Sequence, residues 1–484
     1  MRALLATSIG VTCATALTLP LAAPAPAAPA QAPVAQAPAA TPAEPAGSTQ
    51  SLPLRPLADA APRTTGEPTE SMTPPAAQGL LRRDAHRFSL VGVIWDDADA
   101  ELHGTVQVRT RATGTARWSG WQSLETHNTD HAADSGSPER DSGRVRGSTA
   151  PLWVGDSDGI DVRVRSGSDG PRGGGAPDTS PLPAGLQVEL VDPGEDPVEP
   201  RAEDTPEPGT SSAVTAGTPS PGTATPATAA QPGPLPESAG LTVAAAESSA
   251  VNADLAPLGA SEIAPLSKAE SEEQAVVGAG AKPFVGPRPG IVTRKGWGAD
   301  ESLRERTFAY TSTVKAAFVH HSATGNNYTC AQAPSVLRSI YRYHVKSSGW
   351  RDFGYNFAVD KCGKIYEGRA GGVTKAVLGA HTLGFNTNSM GIAVLGSYSS
   401  KNPPAAAVTA IAKLTAWKLG LFGRNPKGKV TLVSGGSGKY KKGAKARLNV
   451  ISGHRDGFAT ECPGIRLYKK LGSARTTSAK LQGR

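Results

Sequence analysis

Cysteine is scarce in this chain: four among 484 residues, which excludes the disulfide-dense scaffold of small secreted domains. Beyond the N-terminus no stretch is long and apolar enough to cross a bilayer. No convincing internal repeat is found, and neither a zinc-finger spacing nor an HExxH motif is present. Acids are missing locally: from Gly368 to Arg455 there is not one Asp or Glu. Residues 286–484 hold 32 Lys and Arg against 8 Asp and Glu, while the rest of the chain holds 18 against 34. A basic field of that kind attracts polyanions. Outside a cell these are anionic wall polymers, carboxylate-bearing peptides or anionic lipids, not nucleic acid; the plainer alternative is a solvated basic surface.

The N-terminal MRALLATSIGVTCATALTLPLAAPAPAAPA has Arg2, an apolar run from about Ala3 to Ala22 and then small-residue sites suited to signal peptidase. That layout predicts a secretory signal over residues 1–30 and a secreted or wall-associated protein, with a membrane anchor as the alternative. Cys13 falls inside it, leaving Cys330, Cys362 and Cys462 in the mature chain. Three cysteines in an exported protein suggest one disulfide and one thiol with other work, and Cys330–Cys362 is the natural pair. Cys462 is then unpaired, eight residues after His454.

Composition divides the remainder. Residues 31–83 are rich in Ala, Pro, Thr and Gln and are expected to be disordered. From 84 to 193, FSLVGVIW, GTVQVRTRA, WSGWQSL, PLWVGDSDGIDVRVRS and GLQVELVD alternate apolar with polar residues between Gly and Asp turns. That spacing predicts a sandwich-like β-domain, with long loops at 127–148 and 166–181. Trp95, Trp118, Trp121 and Trp153 offer either core packing or a sugar-stacking surface. Residues 194–285 return to Pro, Thr, Ala and Glu and read as a disordered linker that lets one module search while the other stays attached. In 286–472, VKAAFVHH, FGYNFAVD, SMGIAVLGSY and RLNVISGH read as strands. APSVLRSIYRYHV and PPAAAVTAIAKLTAWKLGLFG carry helical periods and end signals. Strands alternating with helices define an α/β domain with a central mixed sheet. The last residues, 473–484, read as a flexible tail.

Within that domain, His320 ends one apolar strand and His454 ends another. If both strands lie centrally in one sheet, their ends bring the imidazoles together, and Cys462 returns on the following loop. Two His and a Cys thiolate are a three-ligand zinc set that leaves a fourth position for water. Zinc makes that water acidic and polarises a carbonyl, which favours hydrolysis. By spacing alone, a His and a Cys eight apart are a coincidence more often than a site, and a buried thiol or a disulfide half stay open.

Five segments in order change the weight of this reading: IVTRKGWGA (291–299), FVHHSAT (318–324), GWRDFGYNFAVDKCGKIYEGR (349–369), LGAHTLGFNTNSMGIAVLGSY (378–398) and GHRDGFATECPG (453–464). Together they resemble the peptidoglycan recognition proteins and the related zinc-dependent N-acetylmuramoyl-L-alanine amidases, over about 286–470. The resemblance implies one zinc on His320, His454 and Cys462, and peptidoglycan and muropeptides as partners, with a monomer expected. Relatives that bind without cutting lack the cysteine ligand, so its presence favours an enzyme over a non-catalytic sensor with a structural zinc. Tyr355 matches a tyrosine near the metal-bound water. Thr460 stands where phage amidases carry lysine and can donate a hydrogen bond to the scissile carbonyl, but without charge. His381, Arg369, Asn386 and His344 are groove candidates for substrate contact. His321 is turned to the other face by strand alternation, Asp456 can orient Arg455 or His454, and Glu367 reads as a salt-bridge or surface carboxylate.

Overall fold

In the strand Phe88–Trp95 every residue is buried, yet alternation still sorts its side chains: Phe88, Val91, Val93 and Trp95 enter one core, Leu90 and Ile94 another. The second core belongs to the C-terminal half of the molecule, so this strand is shared property. It is part of a computed structural model that describes residues 47–57, 77–126, 128–167, 181–196, 241–276 and 284–484.

Among the described residues, the N-terminal half builds one eight-stranded antiparallel sheet. Its strands are β1 (Ser48–Pro53), β2 (Arg55–Pro56), β3 (Ala77–Trp95), β4 (Gly104–Ala112), β5 (Gln122–Leu124), β6 (Gly147–Ser148), β7 (Leu152–Ser166) and β8 (Gln187–Asp192). The order is β1-β8-β3-β7-β4-β5, with β2 and β6 pairing β3. Register shifts between β3 and β7 bend these long strands around the core. The expectation that 31–83 is disordered fails at β1, β2 and the start of β3. Pro53 and Pro56 disguise these segments, but β1 lies at the sheet edge, where a strand tolerates proline. Trp95 and Trp153 are buried, and Arg109 and Arg163 lie over the ring of Trp121 at 4.8 and 4.0 Å, with Arg109 5.7 Å from Trp118.

The second sheet has the order β17-β11-β14-β12-β13-β10-β9 among the described residues. Its strands are β9 (Glu262–Ile263), β10 (Ile291–Val292), β11 (Ala316–His321), β12 (Phe357–Val359), β13 (Ile365–Glu367), β14 (Ser389–Val394) and β17 (Ile451–Gly453), and β15 (Lys429–Val433) and β16 (Lys445–Asn449) form a separate hairpin. β17, β11, β14 and β12 run parallel, whereas β12–β13 and β9–β10 are antiparallel. The helices are α1 (Val243–Ala250), α2 (Lys268–Val276), α3 (Ala333–Arg342), α4 (Ala405–Leu421), α5 (His454–Gly457), α6 (Ile465–Tyr468) and α7 (Leu471–Gln482). Ile392 and Val394 of β14 pack with α4, while Ala393 and Leu395 pack with α3, so the sheet is covered on both faces. This is the expected α/β domain with a central mixed sheet behind a β-rich domain. Cys330 and Cys362 are joined, their Cα atoms 6.2 Å apart, and Cys462 is free and buried.

Two expectations are corrected. Residues 241–276 are not structureless linker: Asn252 donates to Glu367 Oε1 at 2.9 Å and accepts from Val373 N at 2.9 Å, and β9 extends the sheet. The expected linker residues 197–240 and 277–283 lie outside the described residues. Nor is 473–484 a flexible tail. α7 presents small residues that let it approach α4, with Thr415 and Ser478 hydroxyls 3.1 Å apart and Gln482 Nε2 donating to Ala416 O at 2.9 Å.

The two halves are also not independent modules. Leu90, Ile94, Trp153 and Val191 share a core with Trp297, Val336 and Ile340. The ring of Tyr343 lies where a Cβ on Gly92 would stand, 2.3 Å away, and its hydroxyl donates to Thr149 O at 3.1 Å. Only glycine admits that approach.

Candidate metal centre and groove

Parallel pairing of β11 with β17 sets Val319 opposite Gly453, and a histidine follows each: His320 within β11 and His454 as the first residue of α5. His320 and His454 consequently lie with ring centroids 4.5 Å apart, both fully buried. Cys462 Sγ returns to 3.8 Å from His320 Nδ1. The three residues expected as ligands are therefore brought together.

A fourth donor comes from the other domain. The 3₁₀ turn Thr129–His131 of the β-rich domain places the His131 ring 4.5 Å from that of His454 and 5.3 Å from that of His320. One donor atom from each of His131, His320, His454 and Cys462 lies within 4.8 Å of the others. Nε2 of His131 and Nδ1 of His454 are buried without a hydrogen-bond partner. Such orphaned atoms are costly unless a ligand satisfies them. Three imidazoles and a thiol are donors that zinc accepts, so the residues present fit that ion.

Electrostatics support neutral imidazoles, the form that binds a metal. Burial, with neighbouring histidines, pushes His320 well below its ordinary value, and burial pushes His454 down to about 3. Burial also pushes the Cys462 thiol up; a bound cation is what would favour its thiolate. Asp130 O lies 3.1 Å from His454 Nε2, and Asp130 Oδ1 lies 2.8 Å from His131 Nδ1. Burial opposes the Asp130 charge, but His131 and His454 outweigh it and hold the carboxyl below its usual range.

Tyr355 is buried with its ring 5.2 Å from that of His320. Thr460 Oγ1 accepts from Cys462 N at 3.2 Å. Arg369 and Asn386 do not face open solvent. Arg369 holds Glu139, and Asn386 Nδ2 donates to Asp134 Oδ1 at 2.7 Å and to Ala132 O at 3.0 Å. Of the other groove candidates, His344 lines a cavity beside the cluster, whereas His381 is corrected as a groove contact. His344 stacks on Trp350 at 4.4 Å and accepts from Gly354 N, while His381 is wholly buried against Phe318 and His320, its Nδ1 3.0 Å from Thr382 Oγ1. His321 points away from the cluster, accepting from Tyr398 N at 3.2 Å, with Glu125 at its other nitrogen. Asp456 accepts from Gly453 N and Tyr468 OH, and Glu367 is buried away from the site.

A cavity of about 330 Å³ opens beside the cluster, lined from one domain by Glu125, Asn128 and His131 and from the other by Tyr355, Thr460 and Cys462. Asp130 and His131 carry no sequence signal for this role. They sit in an aperiodic loop, and Asp130 meets His454 across 324 positions.

Residues 310–465 match the N-acetylmuramoyl-L-alanine amidase family, and residues 26–203 match the family described as Rv3811 N-terminal galactose-binding domain-like. Peptidoglycan-recognition protein SC2 of Drosophila simulans is 30% identical over 181 residues, covering 37% of this chain and 84% of the relative. Peptidoglycan-recognition protein 1 of Holotrichia diomphalia is 28% identical over 184 residues, 38% of this chain and 79% of the relative. Among solved structures, wild-type Drosophila PGRP-LB is 26% identical with a TM-score of 0.30, covering 38% of this chain and 92% of that one. The family matches thus define an amidase-family domain behind a galactose-binding-like one. This chain belongs to the peptidoglycan-recognition protein family.

Proposed function

We propose that this chain is an exported, zinc-dependent hydrolase that cuts the amide between the lactyl group of N-acetylmuramic acid and L-alanine in peptidoglycan. The observation that carries the reading is the convergence of His320, His454 and Cys462 in one buried cluster, inside the segment matching the amidase family. Zinc supplies, when bound, polarisation of a carbonyl and a water acidic enough to attack it near neutral pH. The protein's own residues do the rest. Tyr355 offers a phenol and Thr460 a hydroxyl for the oxygen that gains charge. Arg369 and Asn386 offer a cation and an amide to the carboxylates and carbonyls of the stem peptide. Hydrolysis leaves the lactyl group as a carboxylate and the peptide with a free L-alanine amino group. A disulfide at Cys330–Cys362 fits an oxidising compartment, which supports export.

A second reading, a non-catalytic peptidoglycan-binding protein with a structural zinc, draws on one observation. Four protein donors, all buried, are the pattern of closed structural sites. Purified sacculi incubated with the zinc-loaded chain and with its His131→Ala variant, with and without chelator, separate the two. Mass spectrometry should find peptide-free glycan and new L-alanine amino groups that chelator abolishes. Binding without release by both proteins supports the second reading, and new reducing sugar ends point to a glycosidase.

A further inference from the structure

A three-ligand zinc site leaves a fourth position for water, and the His131 ring stands 4.5 Å from that of His454 and 5.3 Å from that of His320. In a tetrahedron with bonds of 2.0–2.3 Å, donor atoms stand about 3.5 Å apart. The four donors here lie within 4.8 Å of one another, so small side-chain adjustments bring all of them to one ion. The interdomain cavity tells the same story from outside. Its lining includes His131 and Cys462 but neither His320 nor His454. The His131 ring, within 5.3 Å of both, stands at the cavity wall beside them.

The residues that follow His131 continue along the amidase domain. Leu383 N donates to Asp130 O at 2.9 Å, and Ala132 O accepts from Asn386 Nδ2 at 3.0 Å. Asp134 Oδ1 accepts from Gly384 N and Asn386 Nδ2, each at 2.7 Å. Glu139 accepts from both terminal nitrogens of Arg369 and from Arg351 N. Backbone carbonyls and carboxylates spaced along an irregular chain are the chemistry a stem peptide offers. The segment thereby satisfies Asn386 and Arg369, the groups proposed above to hold substrate.

We infer that residues 128–147 of the β-rich domain are a built-in plug: His131 completes the metal site as its fourth ligand, and Asp134 and Glu139 take the groove contacts, so the chain as folded is latent. The inference rests on the metal and groove assignments under Proposed function. Activation requires the segment to withdraw, which joins the cavity to the metal and frees Arg369 and Asn386 together.

The test uses the full chain, the His131→Ala variant and an Asp134→Asn, Glu139→Gln double variant that keeps His131. Each is loaded with cobalt(II) in place of zinc and titrated with azide, and zinc affinity is measured by chelator competition. The visible spectrum of the unaltered chain should not respond to azide, and that of His131→Ala should. Zinc affinity should fall about tenfold or more in His131→Ala, at least the loss seen when groups supporting a metal ligand are removed. Hydrolysis of a soluble N-acetylmuramoyl peptide should rise at least about tenfold in that variant, the plugged state having reduced the competent population. The double variant should bind azide and peptide more readily than the unaltered chain. An azide response in the unaltered chain, or unchanged zinc affinity in His131→Ala, overturns the plug. So does loss of hydrolysis in His131→Ala with zinc retained, because His131 would then serve the reaction. An unchanged double variant removes the groove half of the inference. If no protein releases L-alanine, the amidase reading falls, while the azide and affinity data still decide the plug.

Discussion

Arg369 holds Glu139 in a two-pronged ion pair across the domain boundary, Nη1 2.8 Å from Oε2 and Nη2 2.9 Å from Oε1, with both side chains buried. Burial alone would raise the Glu139 carboxyl, but the Arg369 charge outweighs it and holds the group below its usual range. The pair joins residues 230 positions apart and fastens the β-rich domain to the loop after β13.

Breaking this pair on one side should be costly, because an uncompensated charge stays buried. Glu139→Ala should destabilise the chain by about 3–5 kcal/mol, read as a drop in thermal midpoint and faster hydrogen exchange around Arg369. Replacing both partners, Glu139→Leu with Arg369→Met, should recover most of the loss. A single variant as stable as the unaltered chain would mean that the pair is not buried in solution.

A second prediction concerns pH. Burial pushes the Glu367 carboxyl up to about 7 from 4.5, although Asn252 and the backbone of Arg294 donate to it. Arg294, Glu301 and Lys418 are the charged groups that act on it. The native state therefore keeps a proton that the unfolded chain releases, and stability falls as pH rises from about 4.5 to about 7. The contribution is on the order of 3 kcal/mol at most. Lys418, pushed down to about 7 by burial, gives the opposite slope above that pH. Glu367→Gln should flatten the acid limb of a denaturation series. An acid limb that survives the substitution would assign the proton elsewhere.

The basic hairpin carries a third. Lys441, Lys442 and Lys445 are exposed near the turn between β15 and β16, in the stretch that has no acids. Lys439 differs, because its ammonium donates to Arg455 O at 2.8 Å, beside His454. Charges more than about 10 Å apart are screened near 0.1 M salt. Wall binding should therefore weaken steeply with salt, and neutralising Lys441, Lys442 and Lys445 should reproduce that loss at low salt. Turnover of a soluble muropeptide should change little in the same variants. An equal loss of both would place the hairpin in the active site.

Much of the C-terminal domain was legible in the sequence because its elements carry strong periods. The apolar run before His320 and the helical spacing from Val336 to Ile340 each admit one element type, and the histidines at strand ends follow from parallel pairing. The plug was not legible. Residues 127–148 have no period, and a loop gives no sign of the partner it touches across hundreds of positions; His127 itself lies outside the described residues. Composition misled in 241–276 and in α7. Ala- and Ser-rich segments read as spacer until tertiary contacts, such as Asn252 on Glu367 and Ser478 on Thr415, satisfy their polar groups. The shared core was hidden for another reason. Alternation shows that Leu90 and Ile94 face away from Val91 and Val93, but not which domain covers them.

The proposed amide hydrolysis depends on zinc held by His320, His454 and Cys462. Its most direct test measures zinc content and release of L-alanine amino groups from sacculi in the same samples, for the chain with and without Cys462→Ser. Each is also prepared with His131→Ala, so that a plugged site is not mistaken for an absent one. Serine is a poor zinc ligand, so in the His131→Ala background Cys462→Ser should lose both bound zinc and hydrolysis while the fold and some muropeptide binding remain. One zinc per chain with undiminished hydrolysis in Cys462→Ser would contradict it.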